Sequence, residues 1–411
     1  MAHLLIVADD LTGAADTGAC FAAQGLATVI PLTAAAAADA DVVVLSTETR
    51  DLDGAEAARI VAAAVADHLE AHHGDGPRWM YKKIDSALRG HPREELLAAM
   101  AASGETRALV APAFPAEGRT TVGGRQFVGG LPLADSALGG ASATSDLVAV
   151  FANTDLPVRV LALPAIRDAS TELAAIIETE PAGILVADAA TDQDLLALAH
   201  ATSQTTLRLM CGTAGFARAL AQSLSFRATP APTPAIGAGG TPALVVAGSQ
   251  HEATRRQVDA LARLGTPVIR PSQAAMDGAE PLDAAVQELR ERLAVNKAAV
   301  LTTAGLAPSP LGGGAVAARL AQIVSASGVV RAIGGLVLTG GDVAAATLAA
   351  LGSSALRLGG EIAPGQPWGV LEGGMRPELP VVTKAGSFGD DQALRTCMRF
   401  LATGFGVQPE R

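Results

Sequence analysis

Cysteine is scarce: three residues, Cys20, Cys211 and Cys397, lie far apart in the 411-residue chain. An odd and scattered set builds neither a disulfide framework nor paired metal-ligand spacing, and it suits the reducing cytoplasm. Aromatic residues make up only 3% of the chain, whereas hydrophobic residues reach 49%. Much of that apolar content is alanine, which favours helices and close helix packing over large apolar pockets. No run of about 18 consecutive apolar residues occurs, so no membrane-spanning helix is expected. The opening Met1-Ala2-His3-Leu4 has no basic segment ahead of an apolar one, and a secretory signal is not expected either. Positive charge is also in short supply. The formal net charge is −11, and only four of the 30 basic residues are lysines: Lys82, Lys83, Lys297 and Lys384. Such a chain lacks the positive field that holds a nucleic-acid polymer. A small anion, by contrast, needs only a local basic cluster.

Familiar nucleotide and metal signatures are missing too. There is no GxxxxGK[ST] loop, which excludes an ordinary P-loop enzyme, and no strand–GxGxxG–helix unit of the dinucleotide type. The seven histidines form no HExxH pattern, and His72-His73 sits in a polar stretch that reads as solvated.

What is present reads as two domains, each of roughly 150–230 residues. The clearest boundary is RATPAPTPAIGAGGTP, Arg227 to Pro242, whose Pro, Ala, Gly and Thr content sustains neither helix nor central strand and reads as a semi-rigid linker. On both sides of it, apolar strand-like runs alternate with alanine-rich helical segments. Runs this apolar are buried on both faces, as in parallel sheets covered by helices. The expected fold is therefore α/β: two three-layer domains with largely parallel or mixed sheets, residues 1–226 and 243–411, joined by the 227–242 linker. Ligands of such sheets gather beyond the carboxyl ends of the strands, so the segments that follow each strand are the ones to inspect.

The first run, Leu4 to Ala8, ends in Asp9-Asp10-Leu11-Thr12-Gly13-Ala14-Ala15-Asp16. Adjacent carboxylates after a buried strand are costly unless they face solvent, a cation or a hydroxyl-rich ligand. A helix cap by Asp10 or Thr12 is the plain alternative, but a second polar constellation in the same half favours a ligand site. That second segment is Tyr81-Lys82-Lys83-Ile84-Asp85-Ser86-Ala87-Leu88-Arg89-Gly90-His91. Successive lysines in a strand point to opposite faces. Asp85 and Arg89 are spaced to meet within a helical turn. Arginine forks a carboxylate, and serine or aspartate binds sugar hydroxyls. A third segment, from Ala111 to Thr121, reads as a rigid loop presenting Arg119 and two hydroxyls.

In the second half, Gly248-Ser249-Gln250 precedes a helix, a place where backbone N–H groups and the helix dipole receive anions. The same pattern recurs at Thr339-Gly340-Gly341-Asp342 and at Lys384-Ala385-Gly386-Ser387-Phe388-Gly389. The paired glycines let phosphate approach the backbone, and Asp342 can reach Mg²⁺ or a ribose hydroxyl. Three glycine-bearing strand-to-helix turns in one half form a phosphate signature.

In order, ADDLTGAAD, YKKIDSALRGH, APAFPAEGR, VVAGSQ, VLTGGD and VTKAGSFG resemble the motifs of the four-carbon acid sugar kinase family over nearly the full chain. The resemblance implies a sugar-acid-binding N-terminal domain and an ATP-binding C-terminal domain. It also implies phosphorylation of threonate, erythronate or 3-oxo-tetronate. Ser249, Gly340, Gly341, Asp342, Val343 and Gly386 would contact ATP, and Asp10, Lys83, Asp85 and Arg89 the acid sugar. One departure is the run of small residues from Gly129 to Asp146, where the family usually has a longer loop bearing histidine and proline.

Asp10 is then the first choice for the base that takes the hydroxyl proton, and Asp85 the second. Asp9, Thr12, Asp16, Lys82, Lys83, Ser86, Arg89 and Arg119 complete the expected substrate site, with ATP and Mg²⁺ as cofactors. The linker would let the domains close, and the alanine-rich helices can support a homodimer. A dehydrogenase using NAD(P), or a sugar-acid-binding protein without catalysis, are the competing readings.

Overall fold

The computed structural model describes residues 4–33, 40–71, 78–139, 144–152, 155–168, 172–224 and 241–403. His72-His73, most of the 227–242 linker and part of the 129–146 run lie outside the described residues. The chain divides into two compact units, Met1–Thr28 with Ala38–Ala231, and Val29–Ala37 with Pro232–Arg411. Each is an α/β unit, as the alternating apolar runs predict. Among the described residues no helix is long and apolar enough to cross a membrane.

In chain order the first part of the molecule forms β1 (Leu4–Ala8), β2 (Thr28–Pro31), β3 (Val42–Ser46), β4 (Trp79–Lys83), β5 (Arg107–Ala111), β6 (Arg119–Val122), β7 (Arg125–Val128), β8 (Leu131–Pro132), β9 (Val158–Leu161), β10 (Gly183–Ala187) and β11 (Leu209–Gly212). Seven of these make the parallel sheet of the first unit, in the order β3-β1-β4-β11-β5-β10-β9. Strands β1, β4, β10 and β11 are buried along their whole length, which explains the continuous rather than alternating hydrophobicity of β1, β10 and β11. Helix Gly54–Ala71 shows the complementary logic: Ala57, Val61, Val65 and His68 are buried at three- and four-residue spacing, one face of a helix. From β1 the chain steps to β3 on one side and then crosses to β4 on the other. That reversal opens a crevice at the carboxyl ends of β1 and β4, where ligands of such sheets bind.

Strands β6, β7 and β8 form a separate antiparallel sheet. The rigid-loop reading of Ala111 to Thr121 needs correction here, because Arg119 to Val122 pair with Arg125 to Val128. The signal is the Gly123-Gly124 turn, with φ of +60° and +69°, the backbone a two-residue hairpin needs. Asp188, just after β10, accepts the N–H groups of Gly123 and Gly124 at 2.7 and 2.9 Å and so fixes the hairpin over the strand ends.

The second unit contains β12 (Ala243–Ala247), β13 (Val268–Ile269), β14 (Ala298–Thr302), β15 (Gly335–Thr339), β16 (Ser353–Glu361), β17 (Pro367–Gly373) and β18 (Pro380–Lys384). Their order is β13-β14-β12-β15-β18-β17-β16; the first five are parallel, and β17 and β16 are added antiparallel. Register builds the core. Val245 is opposite Val300 and Val337, and Val337 is opposite Val382, so one row of valines crosses four strands. It is buried under Val258 and Leu261 of helix Glu252–Arg263 and Leu394 and Leu401 of helix Ala393–Thr403. Each such side chain contributes about 1.5–3 kcal/mol by leaving water. The segment from Val29, including most of β2, belongs to this unit, and the N–H groups of Leu32 and Thr33 donate to the Ser354 carbonyl at 2.8 and 3.1 Å.

Candidate active site

At the end of β1, Asp10 has extended backbone (φ −147°, ψ 160°) and caps helix Leu11–Ala22. Its Oδ1 accepts the Gly13 N–H at 2.7 Å, and its Oδ2 accepts the Thr12 hydroxyl at 2.7 Å. Capping does not exhaust it, because Nη1 of Arg50 also donates to Oδ2, at 2.5 Å. A Cβ on Gly13 would stand 2.6 Å from Asp10 Oδ1 and 3.2 Å from Lys83 Nζ. Glycine thus lets the first helical turn approach both charges.

Arg50 is the residue the sequence reading passed over. It lies a few residues beyond β3, where the N–H groups of Thr49 and Arg50 donate to the Asp9 carbonyl at 3.0 and 3.4 Å. Its Nε and Nη2 fork Asp9 at 2.7 and 2.8 Å. Burial alone would raise the Asp9 pKa, but the charge and hydrogen bonds of Arg50, aided by Lys82 and Lys83, hold it below the ordinary value. Burial likewise works against the Arg50 charge, and Asp10 and Asp9 overcome it and raise its pKa.

The two lysines of β4 separate as the pleat demands. Lys82 is fully buried; its Nζ is 2.7 Å from Glu95 Oε2 and also donates to the Lys83 carbonyl. Glu95 Oε1 in turn accepts the Thr49 hydroxyl at 2.7 Å, so this ion pair supports the segment that carries Arg50. Lys83 is 5% exposed, and its ammonium has no hydrogen-bond or ion-pair partner among the described residues. It lies within electrostatic reach of Asp9 and Asp85, both of whose carboxyls it favours in the ionised form.

Asp85 and Arg89 do meet, though in a non-helical turn with Leu88 at φ +57°. Arg89 donates through Nε at 3.0 Å and Nη2 at 2.7 Å, and the Ala87 N–H adds a third bond at 2.9 Å. Burial opposes ionisation of Asp85, but the Arg89 fork prevails and holds its pKa well below the carboxylate range. Gly90 at φ +79° closes the turn, where a Cβ would lie 3.1 Å from Asp9 Oδ2. The Ser86 carbonyl accepts from Gln126 Nε2 at 3.1 Å, which ties this turn to the β6–β8 sheet.

Asp9, Asp10, Lys83, Asp85 and Arg89 therefore gather around Arg50. Of the expected residues, Lys82 is taken up by Glu95, and two more stand apart. Asp16 lies one turn deeper in its helix, within electrostatic reach of Tyr81. Arg119 bonds the backbone and carboxylate of Glu117. Among the described residues no group of three or more His, Cys, Asp or Glu is placed to hold a metal ion.

In the second unit the chain passes from β12 out to β14 and β13 on one side and to β15 on the other, a second switch point. Ser249 follows β12, and a Cβ on Gly386 would overlap its hydroxyl. Gly340 (φ +104°) leads into helix Gly341–Ala350, and a Cβ on it would lie 3.8 Å from the Ser249 nitrogen. Val343 occupies the space a Cβ on Gly248 would need, and the Asp342 carboxylate lies 3.4 Å from such a Cβ on Gly313, at the start of helix Gly313–Ser327. Ser249, Gly340, Gly341, Asp342, Val343 and Gly386 thus converge where two further helices begin with glycine backbone. Close-packed amides and positive helix ends fit a polyphosphate.

A family model described as a sugar-binding N-terminal domain matches residues 4–220, and one described as a nucleotide-binding C-terminal domain matches residues 244–394. The chain is 40% identical over 412 residues to a D-threonate kinase of Cupriavidus necator, covering 95% of this chain and 96% of that one. Identity is 34% to a D-threonate kinase of Salmonella typhimurium (97% and 98% covered) and 31% to a D-erythronate kinase of Heliobacterium modesticaldum (98% of each). A crystal structure of a Salmonella typhimurium protein has the same fold, with a TM-score of 0.75 at 22% identity over 96% of this chain and 98% of that one.

Proposed function

Since the chain belongs to the four-carbon acid sugar kinase family, we propose that it transfers the terminal phosphoryl group of ATP to a hydroxyl of a four-carbon acid sugar, D-threonate first among them. The relatives named D-threonate kinase, at 34–40% identity, support that order over those named for erythronate or 3-oxo-tetronate, at 30–31%. These relatives are kinases, which leaves the dehydrogenase and non-catalytic readings without support.

One observation carries the substrate half of this reading: a buried Lys83 ammonium, without a hydrogen-bond or ion-pair partner among the described residues, near three carboxylates whose acceptor positions are organised by Arg50 and Arg89. A cation buried without a partner is stabilised by an arriving anion, here the substrate carboxylate. Asp9, Asp10 and Asp85 offer acceptors to its hydroxyls. Asp10 is the base in this reading: it takes the proton that the attacking hydroxyl releases as the phosphoryl group passes to its oxygen. Lys82, engaged by Glu95, acts by supporting the strand rather than by touching substrate.

In the second unit, Ser249, the Gly340–Val343 turn and Gly386 would hold ATP, and Asp342 would share a Mg²⁺ bound to its phosphates. When bound, Mg²⁺ neutralises phosphate charge. The test is a panel of D-threonate, D-erythronate and 3-oxo-tetronates with ATP and Mg²⁺, read by ADP release and by isolation of the phosphorylated acid. Absence of turnover with every member would end this reading.

A further inference from the structure

The turn from Ala385 to Asp390 has its carbonyls held from beneath by three buried side chains. Lys384 Nζ donates to the carbonyls of Ala385 at 2.8 Å and Phe388 at 2.9 Å. Thr254 Oγ1 donates to the Gly386 carbonyl at 2.8 Å. Gln257 Nε2 donates to the carbonyls of Phe388, Gly389 and Asp390 at 3.0, 3.1 and 2.9 Å. In a planar trans peptide the N–H points opposite to the C=O of the same unit. No cis peptide occurs among the described residues. Capture of the carbonyls of Ala385, Gly386 and Phe388 therefore turns the N–H groups of Gly386, Ser387 and Gly389 the other way. None of these three meets an acceptor among the described residues.

Lys384 is itself out of place for a buried cation. It is 1% exposed and has no carboxylate partner among the described residues. An ordinary buried lysine is paired, as Lys82 is with Glu95. A cation left beneath an outward-facing set of amides favours an anion above them.

We propose that Lys384 is a positioning residue for the nucleotide: with Thr254 and Gln257 it fixes the 385–390 turn so that the N–H groups of Gly386 and Ser387 receive a phosphate. Burial, which lowers the Lys384 pKa to about 8, with only Cys397 acting to raise it, is the cost of leaving that charge uncompensated until phosphate arrives. This inference rests on the nucleotide reading of the second unit.

The experiment is calorimetric binding of MgADP and of adenosine to the full chain and to Lys384→Met, with no acid sugar present. The variant is expected to lose roughly tenfold to a hundredfold in MgADP affinity, the worth of a charge-assisted hydrogen-bond set, and to bind adenosine as before. Equal MgADP affinity in the two proteins, or a parallel loss of adenosine, overturns the proposal. A wild-type chain that binds no MgADP overturns the nucleotide reading instead. Should Lys384→Met fail to fold, Thr254→Val removes one carbonyl donor at constant shape. A several-fold loss of MgADP alone then supports the turn's role, and unchanged affinity refutes it.

Discussion

Arg50 and Asp9 meet through two parallel hydrogen bonds, Nε to Oδ2 at 2.7 Å and Nη2 to Oδ1 at 2.8 Å, and the third guanidinium nitrogen is left to reach Asp10. Lysine has no such fork. Arg50→Lys is therefore expected to lower kcat/KM for the acid sugar by about 10²-fold, the scale of a misplaced reacting group, with MgADP affinity unchanged. Initial-rate kinetics and calorimetry on the same preparation check both halves. Equal weakening of both ligands would place Arg50 in general stability instead.

Asp10→Asn separates capping from catalysis. Asparagine caps a helix about as well as aspartate, so the start of helix Leu11–Ala22 is kept, and any fall in melting temperature reports the lost ion pair with Arg50. Turnover should fall by about 10²–10⁴-fold, as for loss of a general base. Near-normal turnover would remove Asp10 from that role and leave Asp85 as the next residue to test.

The Lys82–Glu95 pair is closed to solvent on both sides. Removing one partner strands a buried charge and typically costs about 3–5 kcal/mol, whereas an apolar replacement of both is much milder. Lys82→Met and Glu95→Leu should each lower the urea midpoint sharply, and the double variant should recover much of the loss. Additive losses would show that the pair does not act as a unit.

Lys384 also sets a pH dependence. Its folded pKa of about 8 lies below its usual 10.5, so between those values the unfolded chain holds the extra proton and stability rises with pH. The charge penalty is full below pH 8 and absent above 10.5. Relative to Lys384→Met, the wild type should gain about 3 kcal/mol between pH 7 and 10.5, measured by denaturant unfolding at each pH. Cys397, the titratable group facing it, is pushed up to about 12 by burial and stays outside that window. A pH-independent difference would contradict the assignment.

How much of this was legible depends on how far apart the partners lie in the chain. Asp9-Asp10 and the Lys82–Arg89 segment are compact and follow strands, so the rule that ligands sit beyond strand ends found them. Arg50 follows β3 much as Asp9-Asp10 follow β1, so the same rule covers it, but a single arginine after Thr47-Glu48-Thr49 carries no polar constellation of its own to mark it. Alternation said that Lys82 and Lys83 face opposite ways. Only Glu95, contributed by the next helix, Pro92–Ser103, decides which of them is consumed inside. The Gly386–Ser249 approach depends on the register of β12, β15 and β18, and two donors beneath the 385–390 turn come from helix Glu252–Arg263 packed on them; no local pattern records either. The antiparallel β16 and β17 carry too little contrast with their neighbours to announce a change of direction.

The segment beginning at Val29 is encoded ahead of nearly all of the first unit, yet it completes the second. The molecule is therefore not a string of two self-sufficient beads. A carboxyl-terminal fragment made on its own from residue 241 would lack the backbone donors that Leu32 and Thr33 supply to Ser354. During synthesis, that stretch leaves the ribosome first and waits for its partners. Completion of the second unit is thereby made to depend on a stretch encoded far ahead of the rest of it, and moving that unit elsewhere in evolution would require carrying this strand along.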